Sequence, residues 1–441
     1  MKAKISMVCL GCAKNRVDGE MLLYTLKDSG FEIVSQPEDA DVVIVNTCGF
    51  IESAKKESID EIIELGYLKQ EGKIKAIIVT GCLAERYRDE ILKEMPEADA
   101  VVGIGSNSNI AEVVNEVLEK HRISRYDDKE KLPLCGGRIQ STPHYYSYLK
   151  IAEGCDNRCA YCAIPLIRGG FRSRPMDDII SEAQTLAKNG VKELIVIAQD
   201  TTRYGTDIGG KPMLSQLLRG LCKIDGIRWI RLLYCYPDRI DDELLQTIAS
   251  EDKILKYIDL PLQHCSKNVL RAMNRNGDRE SISALIRHIR EMIPGVVLRT
   301  TLITGFPGES EDDFEQLSEF VNEMKFERLG CFAYSREEDT PAYDMPNQID
   351  EEIKQHRCDL IMQQQQLIME RYNDKLVGTS AVVLCEGYDR VAECYVGRTA
   401  ADSPDVDGNI FFYSEKSPEP GDLVTVKIDE YIGCDPIGTQ V

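Results

Sequence analysis

The stretch EGCDNRCAYC, from Glu153 to Cys162, places three thiols close together: Cys155, Cys159 and Cys162. A structural zinc ion wants four ligands, usually from paired Cys or His elements, and none of the five histidines stands near this cluster in the sequence. Thiolates also hold iron–sulfur clusters. A 4Fe–4S cube with only three protein ligands keeps one iron open, and that iron can bind a small molecule and pass it an electron. A second trio, Cys12, Cys48 and Cys82, is spread through the N-terminal region in LGCAKN, NTCGF and TGCLAE. Each follows a strand-like apolar run and stands beside a glycine. The chemistry on offer is cluster ligation at two places, with zinc or incidental buried cysteines as the simpler alternative.

The elements around these residues decide whether either trio can assemble. KISMVCL, DVVIVNTC and AIIVTGC read as strands, and NRVDGEMLLYTLKDSG reads as an amphipathic helix stopped by Gly30. Such alternation implies a parallel sheet covered by helices. The carboxyl ends of neighbouring parallel strands lie side by side, so Cys12, Cys48 and Cys82 should converge on one edge. The following helices aim their N-terminal dipoles there, which favours thiolates. Cys9, inside the first strand, is expected in the core. This N-terminal α/β unit spans residues 1–120, and a polar linker, 121–144, carries Pro133, Gly136, Gly137 and Pro143.

Residues 145–375 repeat the pattern on a larger scale. YSYLKIAEG, ELIVIAQD, WIRLLYCYP, YIDLPLQH, VLRTTLITGF and LGCFAYS are the candidate strands, giving six βα units. That number fits a partial (β/α)6 barrel, TIM-like in its layout, better than a small doubly wound sheet. Polar residues gather just after the strands in QDTTRYG, YPDR and QHCS, where such folds build their sites. The Cys155–Cys162 loop follows YLKIAEG and so sits at the mouth of the first barrel strand. A glutamine-rich helical stretch then runs to Gly378, and residues 376–441 show short strands and Gly/Pro turns, the pattern of a small all-β barrel. The expected fold class is thus α/β multidomain.

The C-x3-C-x2-C spacing, with Tyr161 before the last cysteine, resembles the radical S-adenosylmethionine (SAM) superfamily. The resemblance implies that the open iron binds the amino and carboxylate groups of SAM, and that one-electron reduction yields a 5′-deoxyadenosyl radical. LITGFPGES resembles the family's glycine-containing SAM segment at the fifth strand, which implies that Gly305 and Gly308 admit the adenosyl part and that Glu309 makes a polar contact. AQDTTRYG lies where the family places contacts to the SAM amino group, giving Gln199, Asp200 and Thr201. Tyr236 and His264 join them as candidates for positioning SAM or substrate, from strand-end location alone. No single side chain stands out as a general base.

The two trios in this order resemble the methylthiotransferases, over essentially the whole chain. The resemblance implies an N-terminal methylthiotransferase domain, a radical SAM domain and a C-terminal TRAM barrel. It also implies two 4Fe–4S clusters, the second presenting sulfur for insertion into an unactivated C–H bond. A radical on carbon demands a dry, closed site. Cys9 and Gly19 replace the serines usual there and Ala13 a common proline, none of which removes a ligand.

Within that family one branch modifies an adenosine beside the tRNA anticodon, and another an aspartate side chain in a protein of the small ribosomal subunit. LGCAKNRVDGE, NTCGFIESA, YLKIAEGC and PLQHCS resemble the second branch, whose first cysteine stretch reads Gly-Cys-x-Lys-Asn. The tRNA branch typically lacks that lysine, and tends to carry Asn-Val-Asn where this chain has QDTTRYG.

Charge points the same way. A net charge of −21 disfavours grip on phosphate backbones. From Leu376 onward twelve acidic residues face four basic ones, which suits a basic ribosomal protein as partner through complementary fields, rather than a nucleic acid. The expected reaction is insertion of a methylthio group at the β-carbon of that aspartate, with electrons from a donor such as flavodoxin or ferredoxin. The alternatives are a tRNA adenosine methylthiotransferase, and a binding or electron-transfer protein using clusters or zinc structurally. At 441 residues and 43% apolar composition the chain can bury several cores. No apolar run approaches the roughly 18 residues of a membrane span. The opening MKAKISMVCLGC is too short in its apolar part for a signal peptide. Sixteen cysteines in a reducing compartment are not a disulfide framework, so the expectation is a cytoplasmic protein without a membrane partner.

Overall fold

The computed structural model describes residues 2–433 and 435–441. Strands β1 (Lys4–Cys9), β2 (Glu32–Ile33), β3 (Val42–Thr47), β4 (Ala76–Gly81), β5 (Ala100–Val102) and β6 (Ile123–Arg125) form one parallel sheet in the order β2-β1-β3-β4-β5-β6. β3 and β4 read VVIVNT and AIIVTG and are buried at every position, as strands covered on both faces must be. Helix Glu52–Gln70 supplies Ile62 and Leu65 to one face, against Val43, Val45, Ile77 and Val79. Helices Ala13–Asp28 and Ile110–Leu118 cover the other through Leu22, Leu26, Val113 and Val114. Because β1, β3 and β4 are adjacent, the turns that leave them lie next to one another.

The central sheet contains β7 (Tyr146–Lys150), β10 (Glu193–Ile197), β11 (Trp229–Leu232), β12 (Ile254–Asp259), β13 (Val297–Thr304) and β14 (Arg328–Ala333), all parallel and in chain order. A small hairpin, β8 (Ala152–Glu153) with β9 (Arg172–Ser173), brackets the Cys155–Cys162 loop. One face of the sheet packs through Leu149, Leu194, Ile230, Ile258 and Leu298 against the helices that follow each strand. Two of those helices begin with a capping box, at Asp278 and at Ser310. The inner face carries Tyr146, Tyr148, Ile195, Trp229, Leu255 and Tyr257. The expected six βα units are all present, as an open sheet.

Strands β15 (Ser380–Asp389), β16 (Cys394–Thr399), β17 (Ile410–Tyr413), β18 (Leu423–Ile432) and β19 (Asp435–Gln440) close into a barrel around Val383, Ile410, Phe412 and Val426. This barrel seats its 400–408 turn on the inner face of the central sheet. Asp407 accepts from Tyr257 Oη at 2.7 Å, Asp402 pairs with Arg328 at 2.6 Å, and Tyr148 Oη reaches Asp405 at 3.2 Å. The fully buried Glu193 is held by Arg231 at 2.8 Å and by Arg398 at 2.7 Å. Arg398 also pairs with Glu386 at 2.7 Å. Part of the acidity read from the sequence as a surface for a basic partner is therefore spent inside the molecule, at Glu386, Asp402 and Asp407. Among the described residues no helix is long and apolar enough to cross a membrane.

Candidate functional site

The turns after β1, β3 and β4 touch. Gly11, at φ +85°, has room for no side chain, because a Cβ there would lie 2.8 Å from the Cβ of Cys48. A Cβ on Gly49 would lie 3.0 Å from the carbonyl carbon of Cys82. Cys12 caps helix Ala13–Asp28 and is exposed, Cys48 is half-buried, and Cys82 is buried at the first position of helix Cys82–Tyr87. Ser58 Oγ fastens the Cys48 turn, accepting from its N–H and donating to its carbonyl, each at 3.0 Å. Cys9, expected in the core, is instead exposed as the last residue of β1, and its sulfur accepts from Asn46 Nδ2 at 3.4 Å. Alternation puts Cys9 on the face of Ile5 and Met7, so its exposure comes from its place at the strand end, past the cover of that face.

The other trio lies on the loop between β8 and helix Ile164–Arg168. Cys155 N–H donates to Gly169 O at 3.2 Å, and Cys162 N–H to Cys159 O at 3.0 Å. The Ile164 N–H donates to Cys162 Sγ at 3.4 Å, and the buried Arg275 lies 3.7 Å from Cys159 Sγ while stacking over the Tyr236 ring. Burial pushes the Cys155 thiol up to about 11 and the Cys48 thiol up to about 12. Thiols held in that state give up their protons when a metal centre arrives to pair with the thiolates.

The two trios share a wall. Ala163 and Ile167, just past Cys162, pack directly on Cys82. Arg168 Nη2 donates to Cys82 Sγ at 3.3 Å and to Asn15 Oδ1 at 3.0 Å, and its Nη1 pairs with Asp18. Lys150 pairs with the same Asp18 and with Glu153 Oε2 at 2.7 Å, while Gln199 Nε2 donates to Glu153 Oε1 at 2.6 Å. Burial alone would raise the Glu153 carboxyl, but Lys150 and Arg168 outweigh it and bring it down to about 2. Ions taken this far from water persist only when paired and hydrogen-bonded, so this network fixes the N-terminal sheet to the central one in a single arrangement. A second tie lies at the opposite rim, where the buried Glu337 takes Arg86 at 2.7 Å and Lys55 at 3.2 Å.

The remaining sequence candidates divide by what their side chains touch. Gln199 is half-buried beside Glu153, and among the described residues its Oε1 has no hydrogen-bond partner. Asp200 accepts from Asn157 at 2.9 Å, Arg239 at 2.7 Å and Thr202 at 2.6 Å, which uses its carboxylate in bracing the loops. Thr201 Oγ1 donates to Leu233 O at 2.8 Å, behind the strand ends. Tyr236 is half-buried between Arg239 and Arg275. His264 is fully buried, accepting from Ser266 N–H at 2.9 Å, with Nε2 at 3.4 Å from Glu309 but in no aligned hydrogen bond. Glu309 accepts from Gly305 N–H at 2.9 Å and from Arg357 at 2.6 Å. Gly305 makes room for Lys354, whose Cγ would stand 2.2 Å from an added Cβ, whereas Gly308 is exposed and faces open space.

Sequence reasoning did not single out Arg168, Arg275, Asp18, Lys150 or Glu153. The available signal was a lysine inside the otherwise uncharged strand YSYLK, since a charge in a buried strand needs a partner.

Among the described residues no three His, Cys, Asp or Glu side chains are gathered as ligands of one metal ion. The thiols of each trio, on close turns and beside a guanidinium, fit a 4Fe–4S group in chemistry, since such anionic clusters take thiolate donors.

Three family models match the chain: the uncharacterized protein family UPF0004 over residues 4–103, the radical SAM superfamily over 149–321, and the TRAM domain over 377–441. Solved structures share the fold at low identity. A radical SAM methyltransferase, TsrM, from Kitasatospora setae aligns with a TM-score of 0.59 and 15% identity, over 78% of this chain and 77% of that one. The cobalamin-dependent SAM radical enzyme OxsB aligns at 0.51 and 13%, over 84% and 56%. Much nearer in sequence are proteins named ribosomal protein uS12 methylthiotransferase RimO. That of Clostridioides difficile is 51% identical over 99% of this chain and 98% of its own, and that of Desulforamulus reducens 50% over 98% of each. The radical SAM superfamily implies a 4Fe–4S cluster and SAM. Identity of this degree along the entire length, with the three domains in the same order, makes this chain a member of the RimO family of radical SAM methylthiotransferases.

Proposed function

We propose that this enzyme inserts a methylthio group at the β-carbon of an aspartate in the basic small-subunit ribosomal protein uS12, the substrate named for its relatives. Cys155, Cys159 and Cys162 hold the SAM-cleaving cluster, and Cys12, Cys48 and Cys82 hold a second 4Fe–4S cluster. When bound, the first supplies an electron to SAM and the second a sulfur for the carbon from which hydrogen is removed. The single observation that supports this reading is the packing of Ala163, Ile167 and Arg168 on Cys82, which joins the loop of one trio to a cysteine of the other.

The chain's own residues do the holding. Gln199 presents a free carbonyl oxygen to a SAM amino group, and Gly308 leaves space for the adenosyl part. Asp200, Thr201 and Glu309 stiffen the loops that carry these contacts, with His264 packed beside Glu309. Tyr236, clamped by Arg275, lines the approach to Cys159. The joints at Arg168 and Glu337 hold the two sheets that carry the trios in one arrangement. A flavodoxin or ferredoxin serves as electron donor.

The test is anaerobic reconstitution, which should give brown protein with about eight irons per chain. Alanine at Cys155, Cys159 and Cys162 should abolish SAM cleavage. Alanine at Cys12, Cys48 and Cys82 should spare cleavage and halve the iron but stop methylthiolation of uS12. Full product formation by the second set would overturn the two-cluster reading, and modification of an anticodon stem-loop in place of uS12 would overturn the substrate.

A further inference from the structure

Lys14 is a buried cation to which the preceding reading gives no role. It stands two residues past Cys12, in the first turn of helix Ala13–Asp28, and is 8% exposed. Its Nζ lies 3.3 Å from the centre of the Tyr234 ring, just beyond the end of β11. Among the described residues it enters no ion pair. Asp259 acts on it through space, but that carboxylate is already taken by Arg299 at 2.8 Å and by the Tyr234 N–H at 3.0 Å. Tyr234 itself adopts φ +60°, a left-handed conformation an aromatic residue takes only under constraint. A strained residue thus presents a ring face to an ammonium that, among the described residues, makes no ion pair within 4 Å. The ring offsets part of the cost of removing that charge from water, and an arriving anion would offset the rest.

The position is specific. Lys14 follows the exposed Cys12 by two residues and reaches across to Tyr234, which lies past the end of β11 and donates its N–H to Asp259 at the end of β12. We infer that Lys14 binds the carboxylate of the substrate's target residue, an assignment that rests on the proposed function and adds the contact that selects the target. In aspartate the carboxyl carbon is bonded directly to the β-carbon, so fixing the two oxygens fixes the C–H bond that reacts. Glutamate would place the equivalent carbon one bond further away, asparagine would forfeit the charge, and adenine carries no anion to offer.

The experiment uses the reconstituted full-length enzyme and two peptides from the target loop of uS12, one with the native aspartate and one with asparagine in its place. Wild type should bind the aspartate peptide about 10- to 100-fold more tightly, the range expected of a hydrogen bond to a charged group. Lys14→Gln should bring the two affinities within about twofold of each other, and Lys14→Arg should restore part of the difference, with iron content serving as the control for folding. An undiminished aspartate preference in Lys14→Gln overturns the assignment. So does a change confined to the electron paramagnetic resonance signal of the neighbouring cluster, which would make Lys14 a partner of the metal centre. If wild type modifies no aspartate peptide, the substrate reading itself has failed, a result distinguishable because it appears before any substitution is made.

Discussion

Arg168 sits where the N-terminal and central units meet. One guanidinium touches Asp18, Asn15, Glu153 and Cys82, and it is 1% exposed. Removing it leaves Asp18 and Glu153 buried with Lys150 as their remaining cation. We expect Arg168→Ala to lose about 3–5 kcal/mol in chemical denaturation of the folded enzyme. Arg168→Lys should recover only part of this, since a point charge cannot span partners arranged for a planar fork. The placement of Cys12, Cys48 and Cys82 on adjacent turns was legible in the sequence, because each follows a strand-like apolar run. The network around Arg168 was not legible in this way. Which charge is buried, and against what, depends on a domain interface that periodicity along the chain does not describe. Thr201 and Glu309 show the same limit: resemblance to the family's SAM segments picked them out, yet their polar atoms are turned to the protein.

At the level of elements, strand adjacency does the assembling. β1, β3 and β4 bring Cys12, Cys48 and Cys82 together only because the chain crosses from β1 to β3 with β2 placed outside. The alternation of strands and helices made that parallel sheet readable, as it did the six βα units. The short β8–β9 hairpin that brackets the Cys155–Cys162 loop gave no comparable pattern, since two-residue strands carry no periodicity. The LITGFPGES turn offers a direct comparison of two left-handed glycines. Gly305→Ala drives a methyl group into the Lys354 stem and should cost about 3 kcal/mol in thermal or chemical unfolding. Gly308→Ala faces open space and should cost about 1 kcal/mol from backbone strain alone. If SAM lies against Gly308, that variant should also weaken SAM binding in calorimetry, whereas its folding changes little.

Over the whole molecule, the closed β-barrel is joined to the central sheet through Glu193. Burial would raise this carboxyl, but Arg398 and Arg231 outweigh it and hold it below the ordinary value of 4.5. Its contribution is therefore complete above that value and is lost as pH falls through the depressed one. Acid titration monitored by limited proteolysis between the domains should show the joint intact at pH 5 and loosening only below about pH 4. Glu193→Gln should loosen it at neutral pH and remove this acid dependence. The overall charge was legible and its location was not, since Asp402 and Asp407 serve the inner face of the sheet instead of an outside partner. That seating has a consequence for biogenesis. The 400–408 turn leaves the ribosome well after the strands it covers, so Arg299 and Arg328 must wait in a nascent, half-solvated lumen for the acids that complete them. A premature stop before that turn would leave an intact cysteine loop in an unsealed shell, and quality-control proteases would meet it before iron could.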